Sequence, residues 1–248
     1  MKKTFRWMTM STVALLCGPY ASPLHAGYEE TELQESGTIV GVVSFEGAVP
    51  KPKTLTITTQ DPPCHKDPIP SEALVVSQDK KVQWAVASIK KIASGKPLPP
   101  EDPDNPVVLD QQGCRFHPHV VVVPKRRTLR IFNSDNILHN VNIRARKNQP
   151  LNRGMPAKVK QMDVSFKRPE KIRVSCDVHD WMGAWIVVAE HPYYAVTGSD
   201  GTFRLENVPV GIHTVQIWHE TLGKQEQEVV VKAGEETRVE FVMTSGHK

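Results

Sequence analysis

The segment Arg173-Val-Ser-Cys-Asp-Val-His-Asp-Trp-Met-Gly-Ala-Trp-Ile-Val-Val-Ala189 decides how the rest of the chain is read. A short β-rich run ends in a tight polar loop, and a second run of Trp, Ile and Val leaves it. Two strands joined this closely can point Cys176, His179 and Met182, spaced C-x2-H-x2-M, at one spot. Thiolate and imidazole bind copper strongly, a distant thioether completes the set, and a plane of two histidines and one cysteine is diagnostic of blue copper. The missing histidine must come from elsewhere in the sheet. His139, in Asn133-Ser-Asp-Asn-Ile-Leu-His-Asn-Val141, lies 37 residues before Cys176 at the start of a predicted strand and completes the ligand set. Taken singly, a buried cysteine, a core histidine or a packing methionine is more often structural. The four in this order carry the reading.

Working outward, Val, Ile and Thr alternate with polar residues over short runs punctuated by Pro, Gly, Asn and Asp, which predicts an all-β protein. Candidate strands are 38–45, 54–58, 73–77, 82–89, 107–110, 119–123, 128–132, 139–144, 161–166, 171–175 and 184–189. A proline-rich acidic stretch, 94–106, predicts an exposed linker. Beyond it the chain divides at about residue 191. Further strands follow at 194–197, 202–206, 213–219 and 228–242, the last broken by a turn at Ala233-Gly234.

Lys2, Lys3 and Arg6 precede an apolar run from Met8 to Leu16, with Ala21 or Ala26 as cleavage points, so residues 1–26 read as a secretory signal peptide. A lipid anchor through Cys17 is the competing reading, against which Leu16 stands where a small residue is expected. No later stretch reaches the ~20 apolar residues of a membrane span. Cleavage at Ala26 leaves three cysteines, and an odd count in an exported protein leaves one thiol over. Pairing Cys64 with Cys114 in a disulfide frees Cys176 for a metal; a different pairing, or none, stays open. Residues 111–190 hold 15 basic and 6 acidic side chains, a charge that steers toward an acidic protein partner or is simply solvated. Nucleic acid is disfavoured by the export signal.

Residues 107–190 resemble the cupredoxins, with the ligand loop closest in spacing to that of the amicyanins. Phe116-His-Pro118, the Asn133-Ser-Asp135 turn, His139-Asn-Val141 and the C-x2-H-x2-M loop carry the likeness. It implies a Greek-key β-sandwich over 106–191 holding one type 1 copper ion. His139, Cys176 and His179 would be equatorial ligands and Met182 axial. Asn140 would brace the ligand strands near the thiolate, and the partly exposed edge of His179 would pass the electron. From their positions beside the ligand loop, Trp181 and Trp185 would shield the metal, with a plain core role for Trp181 the alternative. Arg127, Val178 and Asp180 depart from the common pattern without removing a ligand. The run Ala195-Val-Thr-Gly-Ser-Asp-Gly201-Thr-Phe203, with Asn207-Val-Pro-Val-Gly211 and Thr214-Val-Gln-Ile-Trp218, resembles the carboxypeptidase regulatory-like, transthyretin-like sandwich, placed at 192–248. Residues 37–105 form an N-terminal β region that can supply its missing strands.

His117 and His119 stand one residue apart, and surface or core histidines are the default reading; a second metal site is the alternative, against which Pro118 disturbs the alternation. His65, His191, His213 and His219 read as structural. No phosphate loop, Ser-His-Asp set or paired-carboxylate motif stands out. The expectation is therefore an exported, non-enzymatic electron carrier serving a cytochrome-type or dehydrogenase-type redox partner with an acidic docking face. Copper capture or delivery in the periplasm is the alternative, and a cell-surface interaction module with structural copper is a third.

Overall fold

The computed structural model describes residues 27–57, 64 and 69–245. The expected signal peptide, Cys17, His65 and the end of the strand expected at 54–58 lie outside the described residues. Among those residues there is no α-helix, and no helix is long and apolar enough to cross a membrane. The chain forms two β-sandwiches.

The first sandwich faces a five-stranded sheet against a four-stranded one. The larger sheet runs, in spatial order, Leu151–Met155 (β10), His139–Ile143 (β9), Glu170–Ser175 (β12), Gly183–Ala189 (β13) and Val120–Pro124 (β7). The smaller runs Gln161–Ser165 (β11), Thr128–Asn133 (β8), Val107–Gln112 (β5) and Arg115–His117 (β6). Alternation sends Leu109, Leu129, Ile131, Ile172, Val174 and Ile186 into the space between, all fully buried. Each such side chain contributes roughly 1.5–3 kcal/mol of hydrophobic stabilisation. β12 and β13 pair antiparallel from Glu170↔Val188 to Ser175↔Gly183, so the Cys176–Met182 loop crosses one end of the sheet. β9 joins β12 on its other side through Val174↔Ile143 and Ser175↔Asn142. That pairing puts His139 on the strand next to the loop.

The second sandwich draws strands from both ends of the chain. Ser36–Glu46 (β2) lies between Thr202–Pro209 (β15) and Glu236–Thr244 (β18), while Val86–Ile89 (β3) lies between Tyr194–Val196 (β14) and Gly211–His219 (β16), with Gly223–Val231 (β17) beyond. Ile39, Val43, Phe203, Val215, Ile217 and Phe241 fill its core. The metal-loop sandwich is thus inserted, in sequence, between strands that share one core. Val86, Val120, Val187 and Trp218 pack the two units together.

Several elements depart from expectation. Ser94–Gly95 (β4) is not loop but a short strand parallel to Glu29–Glu30 (β1); the rest of the proline-rich stretch to Pro106 is irregular. The run at 82–89 becomes a strand only from Val86, because Trp84 takes φ +65° and interrupts the extended backbone. The runs at 54–57 and 73–77 are reduced to isolated bridges, Thr54↔Pro70 and Val76↔Val82. β10 has no counterpart among the expected strands: Leu-Asn-Arg-Gly-Met has poor strand propensity, and its pairing with β9 overrides that preference.

Candidate metal centre

Three of the four expected ligands meet at the loop. Ligand atoms of His139, Cys176 and His179 all lie within 4.8 Å of one another, and all three residues are buried. The Nδ1 atoms of the two histidines are 3.0 Å apart, and Cys176 Sγ is 3.8 Å from His179 Nδ1. Met182, also buried, closes the loop: the Cys176 N–H donates to the Met182 carbonyl at 3.2 Å and the Met182 N–H to the His179 carbonyl at 2.9 Å. The two strand ends and these backbone bonds hold the loop in shape. A soft sulfur with two imidazoles in a water-poor pocket is a donor set that suits copper.

Backbone groups face the sulfur. The N–H of Asn140 donates to Cys176 Sγ at 3.3 Å and the N–H of His179 at 3.4 Å, which stabilises negative charge on the sulfur. The Asn140 side chain ties neighbouring strands together. Its Oδ1 accepts from the Asp177 N–H at 3.1 Å, and its Nδ2 donates to Asn152 Oδ1 at 2.6 Å. Asp177 in turn accepts from Asn142 and Asn152, which hold its carboxyl below the usual range.

His139 turns Nδ1 toward Cys176's side of the site and donates from Nε2 to Asp135 Oδ2 at 2.8 Å. A carboxylate behind the outer nitrogen fixes the tautomer that leaves the inner nitrogen free to bind a metal. Asp135 also accepts the N–H groups of Gly113 and Cys114, each at 2.9 Å. Burial pushes its pKa up, but those bonds and the His139 contact outweigh it and keep the carboxyl below the ordinary range. In the sequence Asp135 stands out only as part of a turn; its spacing four residues before His139 is the one signal that points to this role.

The other side of the site departs further from expectation. His179 has no exposed edge, with 0% of its surface accessible. Cys64 and Cys114 form a disulfide, and Cys64 Sγ lies 3.8 Å from His179 Nε2. Trp181 tilts against the His179 ring with centroids 5.0 Å apart and donates from Nε1 to the Cys114 carbonyl at 3.1 Å. Trp181 therefore covers one side of the site, and the remaining thiol among the described residues is Cys176. Trp185 does not reach it: its Nε1 donates to Glu220 at 2.8 Å and its ring packs on Trp218, because its position in β13 faces the second sandwich.

The His117/His119 pair does not come together as a site. His117 is exposed, while His119 is buried and bonds through Nε2 to Glu220, so the two neighbours have separate surroundings. His191 and His213 bond backbone carbonyls of Ile89 and Pro209.

Residues 182–244 match the model of the carboxypeptidase regulatory-like domain. None of the curated proteins compared matches the sequence. Among solved structures, an oxidised single-site mutant of amicyanin is similar at 20% identity over 42% of this chain and 98% of its own, with a TM-score of 0.32. A purple cupredoxin from Nitrosopumilus maritimus is similar at 14% identity over 34% of this chain and 99% of its own, with a TM-score of 0.29. A copper-containing nitrite reductase from Thermus scotoductus SA-01 matches at 20% identity over 42% of this chain with a TM-score of 0.33; this chain spans 25% of that protein.

Proposed function

We propose that His139, Cys176, His179 and Met182 would hold one copper ion in a type 1 site and that the protein transfers single electrons. The observation that carries this is the convergence of the two Nδ1 atoms and the Cys176 sulfur, with both outer histidine faces packed by protein. Bound copper would supply a one-electron couple. The chain's own residues do the rest. Asp135 and Trp181 hold the histidine rings still, and the Asn140 and His179 N–H groups temper the charge on the sulfur. Met182 and the surrounding apolar side chains keep water out and tune the potential.

On this reading the protein is an exported carrier, with no catalytic step of its own, and its basic central region suits a redox partner with an acidic face. The Cu(II)-loaded full chain should show an intense thiolate-to-copper band in the visible and narrow copper hyperfine splitting in electron paramagnetic resonance. Cys176→Ser should abolish both. A weak, ordinary Cu(II) spectrum would sink the electron-transfer reading.

The burial of His179 favours one second reading, copper capture and delivery, because it removes the exposed histidine edge through which an electron would pass. In that case copper would exchange readily with a chelator and show no reversible one-electron wave in voltammetry.

A further inference from the structure

The Cys64–Cys114 bond joins positions 50 residues apart, as any staple might. Its surroundings are unusual for a staple. Through Cys64 Sγ it touches His179 Nε2, through the Cys114 N–H it holds Asp135 behind His139, and through the Cys114 carbonyl it anchors Trp181 against His179. Cys114 Sγ, an Asp135 carboxylate oxygen and a His139 ring nitrogen also lie within 4.8 Å of one another. Cys114 further adopts φ +58°, a left-handed conformation that costs a non-glycine residue energy and concentrates at functional positions. The exposed Gly113 beside it leaves open space where a side chain would stand.

We propose that Cys64 and Cys114 are a reducible pair which, as a dithiol, forms a second binding site for a soft monovalent metal, Cu(I), against the outer faces of His179 and His139. A dithiol donor supplies two electrons and two protons; the S–S bond breaks, two thiols form, and the donor is oxidised to its own disulfide. Each thiol then releases its proton to solvent as its sulfur bonds the ion. Thiolates select Cu(I), and metal–sulfur bonds of ~2.3 Å place two sulfurs on one ion about 4 to 4.6 Å apart. The Cα separation of 5.7 Å allows that spacing after side-chain rotation. An ion held there would lie on the far side of the histidines from Cys176, and oxidation would close the site. The inference does not rest on the type 1 reading, because Cys176 takes no part in it, although the two sites share the rings of His139 and His179.

The test uses full-length Cys176→Ser protein, reduced with a phosphine, desalted without oxygen and titrated with Cu(I) against a chromophoric bisulfonated phenanthroline chelator. Reduced protein should withhold one Cu(I) per chain at least tenfold more tightly than oxidised protein, and X-ray absorption should show two sulfur scatterers. Adding Cys64→Ser and Cys114→Ser should bring the reduced protein down to the oxidised baseline. Equal Cu(I) retention in the two redox states would overturn the proposal. So would reduction that proceeds only with loss of the near-ultraviolet circular dichroism of the fold. Absence of the blue spectrum in wild-type protein would count against the type 1 reading alone.

Discussion

Asp135 ties both sides of the candidate centre together, since one carboxylate receives the outer nitrogen of His139 and the N–H groups of Gly113 and Cys114. Asp135→Asn keeps the size of the side chain but removes the charge, and its amide nitrogen cannot accept. Copper affinity should fall roughly 10–100-fold, the range for losing a partner behind a metal-bound histidine, with the far-ultraviolet circular dichroism unchanged. A chelator competition against wild type measures this, and an unchanged affinity would mean that His139 is oriented by packing alone. The convergence of His139, Cys176 and His179 was readable because four residues of metal-binding type, with Met182 the fourth, occur in one order around strand-like runs. The covering of His179 was not: Cys64 is 115 positions away in sequence, and only the folded chain brings its sulfur to the ring.

β2 shows at the scale of elements what packing demands of a sequence. It is the central strand of its sheet, pairing antiparallel with β15 and parallel with β18 over its length. A Cβ at Gly41 would sit 2.4 Å from the Phe203 ring and 2.7 Å from the Val239 carbonyl, so the glycine makes room for the aromatic. Gly41→Ala should cost about 1–3 kcal/mol as an overpacking substitution, read as a lower midpoint in urea with an unchanged slope. Phe203→Leu in the same background should recover part of the loss, and no recovery would locate the strain in the backbone instead. The strands with clean alternation, such as β8 and β18, were legible for the reason that one face of each is buried. β10 was not, because its partner strand rather than its own residues holds it extended, and the expected shielding by Trp185 failed because alternation alone does not say which neighbour a face will meet.

For the molecule as a whole, the joint between the sandwiches is centred on Glu220, which receives His119 Nε2, Trp185 Nε1 and Arg173 and is itself nearly buried. Burial raises its pKa, yet these partners, led by His119, bring it below the ordinary carboxylate value. Glu220→Ala strands those donors and should cost about 3 kcal/mol, seen as a lower melting temperature. Two separated unfolding transitions would indicate that the joint couples the sandwiches. His219, beside it, makes the joint sensitive to acid. Its Nδ1 accepts the N–H groups of Thr221 and Leu222, and burial, only partly opposed by the charge of Glu220, lowers its pKa to about 4. An unfolded histidine titrates near ~6.5. Below that value the unfolded chain takes up a proton that the folded chain refuses, so the contribution of neutral His219 is complete above about pH 6.5 and is lost as pH falls toward 4. The gap corresponds to about 3 kcal/mol at most. His219→Asn keeps an acceptor for the turn but cannot titrate. Urea unfolding at a series of pH values from about 7 to 4.5 should therefore give a steeper loss of stability for wild type than for this variant. Parallel slopes would show that His219 is protonated in the folded chain and would move the acid sensitivity to other groups.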